Sequence, residues 1–394
     1  MSKLVLIIFV LLTISACKES DYCVGCSDLY PYFTDSHLKI STQTVDKLPP
    51  TPASSQEDLA SLNKVIVFPV SSKRYTVVSF PDEFLSALEK KGWRVLDSDR
   101  QIHNADPLVD IKNFTGFENT DIVAFYMTEM SEVSKGSSRN LHQIWTELSD
   151  ANFLKVSILE DFMFPFQISN ASYFCQYADV ILVRYPEALH QIVPDCQRPA
   201  FYFPHSAGKN YFKAKSDFKD KEPAVLLSGA INERWYPLRV KALQLFEAGQ
   251  KNMTYRKHSG SKQMDPVAEA KSYAAQISKH EIALTGAVLG VAVSAPYIVA
   301  KHFEIPATGT VVVTDKFVTP LMARLGFVEN EHYLTSTPVT LKADLARWLA
   351  PGNKSNLEKI GMAGQKLVAE RHALEKRIEE FEKVVYYAWT QKKK

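Results

Sequence analysis

The run Lys301-His302-Phe303-Glu304-Ile305-Pro306-Ala307-Thr308-Gly309-Thr310-Val311-Val312-Val313-Thr314-Asp315 sets one amine, one carboxylate and a small-residue turn close together. Its pattern predicts a short helix carrying Glu304, a turn at Ala307-Thr308-Gly309, and a buried strand ending in Asp315. A carboxylate beside a glycine that permits close approach suits a ribose diol, because it can accept hydrogen bonds from two neighbouring hydroxyls. Lys301, about one helical turn earlier, is placed to meet a phosphate. The same letters also spell a surface helix with an ordinary Glu–Lys pair, and physics alone does not separate the two. A second segment, Leu227-Ser228-Gly229-Ala230-Ile231-Asn232-Glu233-Arg234-Trp235-Tyr236-Pro237-Leu238-Arg239, joins a strand to a helix. Gly229 at the bend lets backbone N–H groups face a ligand, and a helix start favours an anion. Arg234 and Arg239 are candidates for charge-assisted contacts to a diphosphate; a plain strand-to-helix turn with surface arginines has the same spelling.

These residues need a frame, and short apolar runs supply one. Lys64–Pro69, Trp93–Leu96, Asp121–Tyr126, Leu154–Leu159, Asp179–Val183 and Pro199–Pro204 read as strands, with helices at Phe84–Gly92 and around Leu141–Leu148. The pattern restarts after the charged stretch Lys213–Glu222, which reads as a linker. Strands follow at Ala224–Gly229, Tyr255–His258, Ile282–Thr285 and Val311–Thr314, with a helix over Pro237–Ala248 and a long closing helix from about Asn356 to Trp389. Buried strands alternating with helices imply α/β architecture with mostly parallel sheets, once over residues 63–212 and again over 222–366. Two such domains leave a cleft lined by the carboxyl ends of their strands, where ligands bind. Glu160 and Asp161 follow the strand ending at Leu159, and His205 ends another near the junction. All three are therefore candidates for activating a reacting hydroxyl. A Pro-His pair at a strand end is equally at home in a purely structural role.

The stretch Phe303–Asp315 closely resembles the group-1 type glycosyltransferase signature, F-E-x-x-A-x-G-T before a hydrophobic strand ending T-D. The similarity continues at Gly361-Met362-Ala363-Gly364-Gln365 and Glu370-Arg371-His372. Ala178-Asp179-Val180-Ile181-Leu182, with Phe203-Pro204-His205-Ser206 after it, resembles the end of that family's first domain. The resemblance runs from about Ile158 to Val385 and is greatest to the branch with a spore-coat-type carboxy-terminal domain. It implies the GT-B fold: two Rossmann-like domains facing across a cleft, with the carboxy-terminal helix (367–394) crossing back. It also implies a nucleoside-diphosphate sugar bound mainly by the second domain. Glu304 would hold the nucleotide ribose, Thr308, Gly309 and Thr310 would line the diphosphate, and Gly229 would form the first-loop approach. Many family members carry a further Glu eight residues before the ribose Glu, contacting the sugar; Pro296 stands there, with Ser294 and Tyr297 nearby as replacements. GT-B enzymes generally manage the leaving diphosphate with helix ends and basic side chains, and no D-x-D motif stands where the other major fold would place one. Neither a metal nor a cofactor is therefore expected, the nucleotide sugar being a substrate. The activity implied is glycosyl transfer to a glycan, protein or lipid hydroxyl. A catalytically idle GT-B binding module and a nucleotide-sugar epimerase of the same fold are the alternatives.

The totals fit this reading. The chain has 394 residues, 46% of them hydrophobic, enough for two domains plus tails. Lys and Arg number 46 against 44 Asp and Glu, a balance that gives no reason to expect a nucleic-acid partner. Lys3 precedes the apolar run Leu4–Leu12, and Ile14-Ser15-Ala16-Cys17 follows. This describes a secretory signal peptide rather than a bilayer span, which needs about 20 residues. The same residues resemble a bacterial lipobox with Cys17 as the acylated position, so the chain is expected in the secretory pathway or at the cell envelope, with membrane association through its amino terminus. Residues 18–62 are polar and Pro-rich and read as a stem. Cys23 and Cys26 form a lone C-x-x-C, which suits a local disulfide or free thiols better than a four-ligand zinc site. Sequons begin at Asn113, Asn170, Asn252 and Asn353.

Overall fold

Lys64–Phe68 (β1) is buried along its whole length. An extended run covered on both faces belongs inside a sheet flanked by helices, and that is where it lies. The computed structural model describes residues 59–68, 80–97, 119–126, 146, 148–149, 151–160, 165–232, 235–257, 266–289 and 296–393. The amino-terminal apolar run, Cys17, Cys23, Cys26, the stem up to residue 58, most of the helix expected around 141–148, and Asp161 and Arg234 lie outside them.

The first sheet contains β1, β2 (Arg94–Asp97), β3 (Ile122–Tyr126), β4 (Leu154–Leu159), β5 (Val180–Val183) and β6 (Ala200–Tyr202) in the order β2-β1-β3-β4-β5-β6. Every pairing is parallel. Helices α1 (Phe80–Glu89), α2 (Pro165–Tyr177) and α3 (Pro186–Ile192) connect the strands. Gly92 turns the chain at φ +80°, the left-handed conformation that glycine adopts without strain. Cys175 in α2 and Cys196 after α3 form a disulfide, a pairing that the spacing of the cysteines did not suggest.

The short helix α4 (Lys209–Lys213) carries the chain across to the second sheet. That sheet has the order β13-β12-β9-β7-β8, with β7 (Glu222–Ser228), β8 (Met253–Arg256), β9 (His280–Leu284), β12 (Val311–Asp315) and β13 (Leu334–Ser336), again all parallel. A two-stranded ribbon, β10 (Val288–Leu289) with β11 (Pro296–Tyr297), sits between β9 and the next helix. The helices are α5 (Pro237–Glu247), α6 (Pro266–Ser278), α7 (Lys301–Ala307), α8 (Thr319–Arg324), α9 (Leu341–Trp348) and α10 (Lys354–Arg371). β8 begins two residues earlier than the apolar pattern suggests, because Asn252 turns left-handed (φ 61°) immediately before it. The charged stretch expected to be a linker already contains the start of β7.

The closing helix is two helices. α10 stops at Arg371, and α11 (Leu374–Lys392) starts after an extended Ala373. The break makes room for main-chain pairing with the other crossing: Ala207 N–H donates to His372 O (2.9 Å) and Leu374 N–H to Ala207 O (3.0 Å). Beyond it, Leu374, Ile378, Phe381, Val384 and Val385 complete the core of the first domain. The basic tail is tied down as well, since Lys392 Nζ pairs with Asp179 at 2.8 Å.

α10 packs on α7 at backbone distance. A Cβ on Gly361 would stand 2.6 Å from Gly309 O, and one on Gly364 would stand 2.6 Å from His332 O. Gly361 is thus a steric requirement where the chain turns from α7 into β12, and Gly364 where α10 passes the His332 carbonyl. Gly361→Ala gains about 1 kcal/mol of helix propensity, yet overpacking against backbone costs about 1–3 kcal/mol. Urea unfolding is expected to show a net loss, whereas Gly352→Ala, with open space around its α-carbon, leaves the midpoint unchanged. Equal midpoints for the two variants would contradict this packing.

Candidate functional site

The second sheet reverses direction of growth between β7 and β9, and crevices at such switch points hold ligands. Arg239, in the first turn of α5, spans this point: Nη1 donates to Ala230 O (3.2 Å) after β7, and Nη2 to Thr285 Oγ1 (3.2 Å) and Gly286 O (3.4 Å) after β9. The guanidinium also lies 3.8 Å from the Tyr236 ring centre, and its buried Nε has no partner. Gly229 has φ +98°, and a Cβ there would meet Arg239 Nη1 at 2.9 Å and Lys301 Cε at 3.0 Å. Backbone, guanidinium and amine therefore converge, as an anion requires. Lys301 Nζ donates to Tyr273 Oη (2.8 Å) and sits over that ring (4.1 Å), while Tyr273 shares a 2.7 Å hydrogen bond with Ser228.

Three residues beyond Lys301, Glu304 is 4% exposed. Burial raises its pKa, and Lys301 and a hydrogen bond from the Tyr211 hydroxyl work against that rise. Tyr211, in α4, is itself pushed well above the ordinary tyrosine range, by burial first and then by the Glu304 charge. Asp315 ends β12 with Oδ2 accepting from Ala287 N–H (2.9 Å) and Oδ1 unpartnered. Burial raises it to about 7, against the Ala287 N–H and Arg239. His302 sits between Val299 O (3.0 Å) and Thr314 Oγ1 (2.8 Å), and burial lowers it to about 3.

Gly229, Arg239, Lys301 and Glu304 are thus brought together. Thr308, Gly309 and Thr310 are not: they lie past the other end of α7, where β12 begins. There Thr308 Oγ1 donates to Ile305 O (2.8 Å), and the Thr310 hydroxyl faces the carbonyls of Ile277 and His280 while accepting from Lys221 Nζ (3.0 Å). A turn between helix and strand can stand near either edge of a sheet, and here it stands at the strand-entry edge.

The first domain supplies the facing wall from its own strand ends. Glu160 accepts from Arg184 Nε (3.2 Å) and from the Tyr126 hydroxyl, so it forms an ion pair at the ends of β3, β4 and β5. Arg184 is buried and also donates to Phe203 O (3.0 Å) and Pro204 O (2.7 Å). His205 Nε2 is hydrogen-bonded to Tyr185 Oη (3.0 Å), and burial, Arg184, Arg377 and His302 hold it well below the usual histidine pKa. Held that low, the His205 imidazole stays neutral and is a weak base. Tyr185 stacks on Tyr297 of β11 (4.1 Å, 9°), next to Pro296. Sequence reasoning missed Tyr211, Tyr273 and Arg184, whose roles depend on partners distant in the chain.

Residues 238–383 match the profile of the family described as glycosyl transferase-like. No curated protein matches the sequence significantly. Among solved structures, sucrose-phosphate synthase from Thermosynechococcus elongatus superposes with TM-score 0.57 at 12% identity, covering 84% of this chain and 100% of that one. HepE from Anabaena, in complex with UDP and glucose, gives TM-score 0.52 at 10% identity over 82% of this chain and 100% of its own. An alpha-glucosyltransferase in complex with UDP-glucose and DNA containing an abasic site gives 0.53 at 10% identity over 82% and 99%. The two-domain architecture is the GT-B fold. The family-profile match lies in the second domain.

The buried histidines make stability pH-dependent. His372 pairs Nε2 with Leu325 O (2.9 Å) and Nδ1 with the Arg377 guanidinium (3.1 Å), so burial and Arg377 lower it to about 4. Its folded pKa and that of His302 lie below the unfolded value of 6.5. Their contribution is therefore complete above pH 6.5 and is lost as pH falls toward 4. Urea midpoints should fall across that window, with a shallower slope in His372→Gln; a flat wild-type profile would rule the linkage out.

Proposed function

We propose that the protein is a glycosyltransferase that moves a sugar from a nucleoside-diphosphate sugar to an acceptor hydroxyl on a glycan, protein or lipid. The observation that carries this reading is Arg239 bridging the ends of β7 and β9, with Gly229 and Lys301 against it. In this reading the diphosphate lies over Gly229 and its charge is met by Arg239 and Lys301, so the leaving group is stabilised where charge develops. Glu304 accepts hydrogen bonds from the ribose diol. The UDP and UDP-glucose in the HepE and alpha-glucosyltransferase structures support a nucleotide-sugar donor. On the acceptor side, His205 and Glu160 stand at the strand ends of the facing domain, and closing the cleft would exclude water that hydrolyses the donor.

A binding module without turnover is the second reading, favoured by Pro296. Where many family members place a sugar-contacting Glu, this chain has a proline paired in a ribbon beside a Tyr185–Tyr297 stack. Product formation from UDP- and GDP-sugars with purified protein separates the two. The Cys175–Cys196 disulfide supports an oxidising compartment, in keeping with the secretory reading of the amino terminus.

Glu304→Ala, in an otherwise folded protein, is expected to weaken UDP or GDP binding by about 10- to 100-fold, the scale of hydrogen bonds to a charged group. Unchanged affinity by calorimetry would remove Glu304 from the site.

A further inference from the structure

Ala270, Tyr273, Ala274 and Ile277 recur at helical spacing and form one buried face of α6. Tyr273 alone of these four carries a hydroxyl, and a buried phenol needs polar partners. It finds two, on different elements. Ser228, the last residue of β7 and itself buried, shares a 2.7 Å hydrogen bond with Tyr273 Oη. Lys301, the first residue of α7, donates to the same oxygen at 2.8 Å, and its amine lies 4.1 Å from the ring centre. The ring has further neighbours: Tyr211 meets it edge-on (6.4 Å, 86°), and the Arg256 guanidinium at the end of β8 lies 5.3 Å from its centre. Arg256 has a counter-ion of its own in Glu269 of α6 (2.5 Å). One phenol therefore ties Lys301 to the strand end from which Gly229 leads off.

We propose that Tyr273 is a positioning residue for the donor diphosphate: it holds the Lys301 amine beside Gly229 before any ligand arrives and leaves that amine's charge for the phosphate. The inference rests on the diphosphate assignment made above. Lys301 Cε would stand 3.0 Å from a Cβ on Gly229, so the end of its stem already lies against the bend assigned to the diphosphate. Both contacts from Tyr273 are uncharged, so they fix the ammonium without cancelling its charge. An ammonium has three N–H donors; one goes to Tyr273 Oη, and two are left for phosphate oxygens. A mobile lysine gives up its rotamer freedom at the moment of binding, whereas a lysine already held has given it up on folding. A purely structural tyrosine would serve Ser228 and the packing of α6 alone. The two roles differ in whether the effect of the hydroxyl on binding runs through Lys301.

Tyr273→Phe keeps the ring and removes the hydroxyl. UDP and GDP affinities are measured by calorimetry for wild type, Tyr273→Phe, Lys301→Ala and the double variant, with uridine and guanosine as phosphate-free probes. Tyr273→Phe is expected to weaken diphosphate binding about 2- to 10-fold, the scale of immobilising one long side chain, and to leave nucleoside binding unchanged. In the Lys301→Ala background the same substitution has no further effect. A second measurement needs no tyrosine variant and serves if Tyr273→Phe does not fold. It is 13C relaxation of the Lys301 ε-methylene without ligand, assigned by its loss in Lys301→Ala. The side chain is expected to be more rigid than that of Lys366, which is 76% exposed. Equal losses from Tyr273→Phe in both backgrounds, unchanged affinity in Tyr273→Phe, or a Lys301 as mobile as Lys366 overturns the proposal. If neither nucleotide binds, or Lys301→Ala binds both like wild type, the diphosphate assignment has failed. A Lys301 that is rigid in wild type and mobile in Tyr273→Phe then still assigns its anchor to Tyr273.

Discussion

A carboxylate kept away from water sits between the two domains, and the arrangement around it follows from the cost of its charge. Ionised Glu304 costs several kcal/mol to bury without partners. Lys301 on the same helix and the Tyr211 hydroxyl from the crossing segment offset that cost. The position of Lys301 is in turn set by Tyr273 and by the absence of a side chain on Gly229. Gly361 then brings α10 against the turn from α7 into β12 at a distance that no other residue allows. A local chemical need at one residue thus reaches the helix packing of the whole second domain.

The same economy operates where the chain passes between domains. The segment after β6 and the break between α10 and α11 run side by side and share main-chain hydrogen bonds at Ala207, His372 and Leu374. Arg377 ties the pair together, donating to His205 O (3.4 Å) and His372 Nδ1 (3.1 Å) with Glu380 as its counter-ion. His205 is therefore a strand-end residue of the first domain and a neighbour of the crossing. Any movement of one domain against the other must be absorbed near these few residues, which is how hinges generally work.

Much of this was legible in the sequence, for physical reasons. Strands buried on both faces are unbroken apolar runs, so β1, β3, β4, β5 and β12 could be read directly. Arg239 and Glu304 could be read because local motifs place them at helix starts after strands. Tyr211, Tyr273 and Glu83 could not, since each acts through a partner far away in the chain. The Glu83–Asn210 contact, for example, spans 127 positions. The break at His372–Ala373 has no proline or glycine to announce it and exists because Ala207 needs a pairing partner. Thr308–Thr310 show the opposite failure: the motif was visible, but only the topology reveals which edge of the sheet the turn occupies.

The central claim is that a donor nucleotide occupies the carboxyl ends of the second sheet. Hydrogen–deuterium exchange with and without UDP, GDP or ADP tests it most directly. Bound nucleotide is expected to protect residues 226–230, 236–240, 271–274 and 300–305, with little change along β1 to β5. Protection confined to the first domain, or none with any of the three, would contradict it.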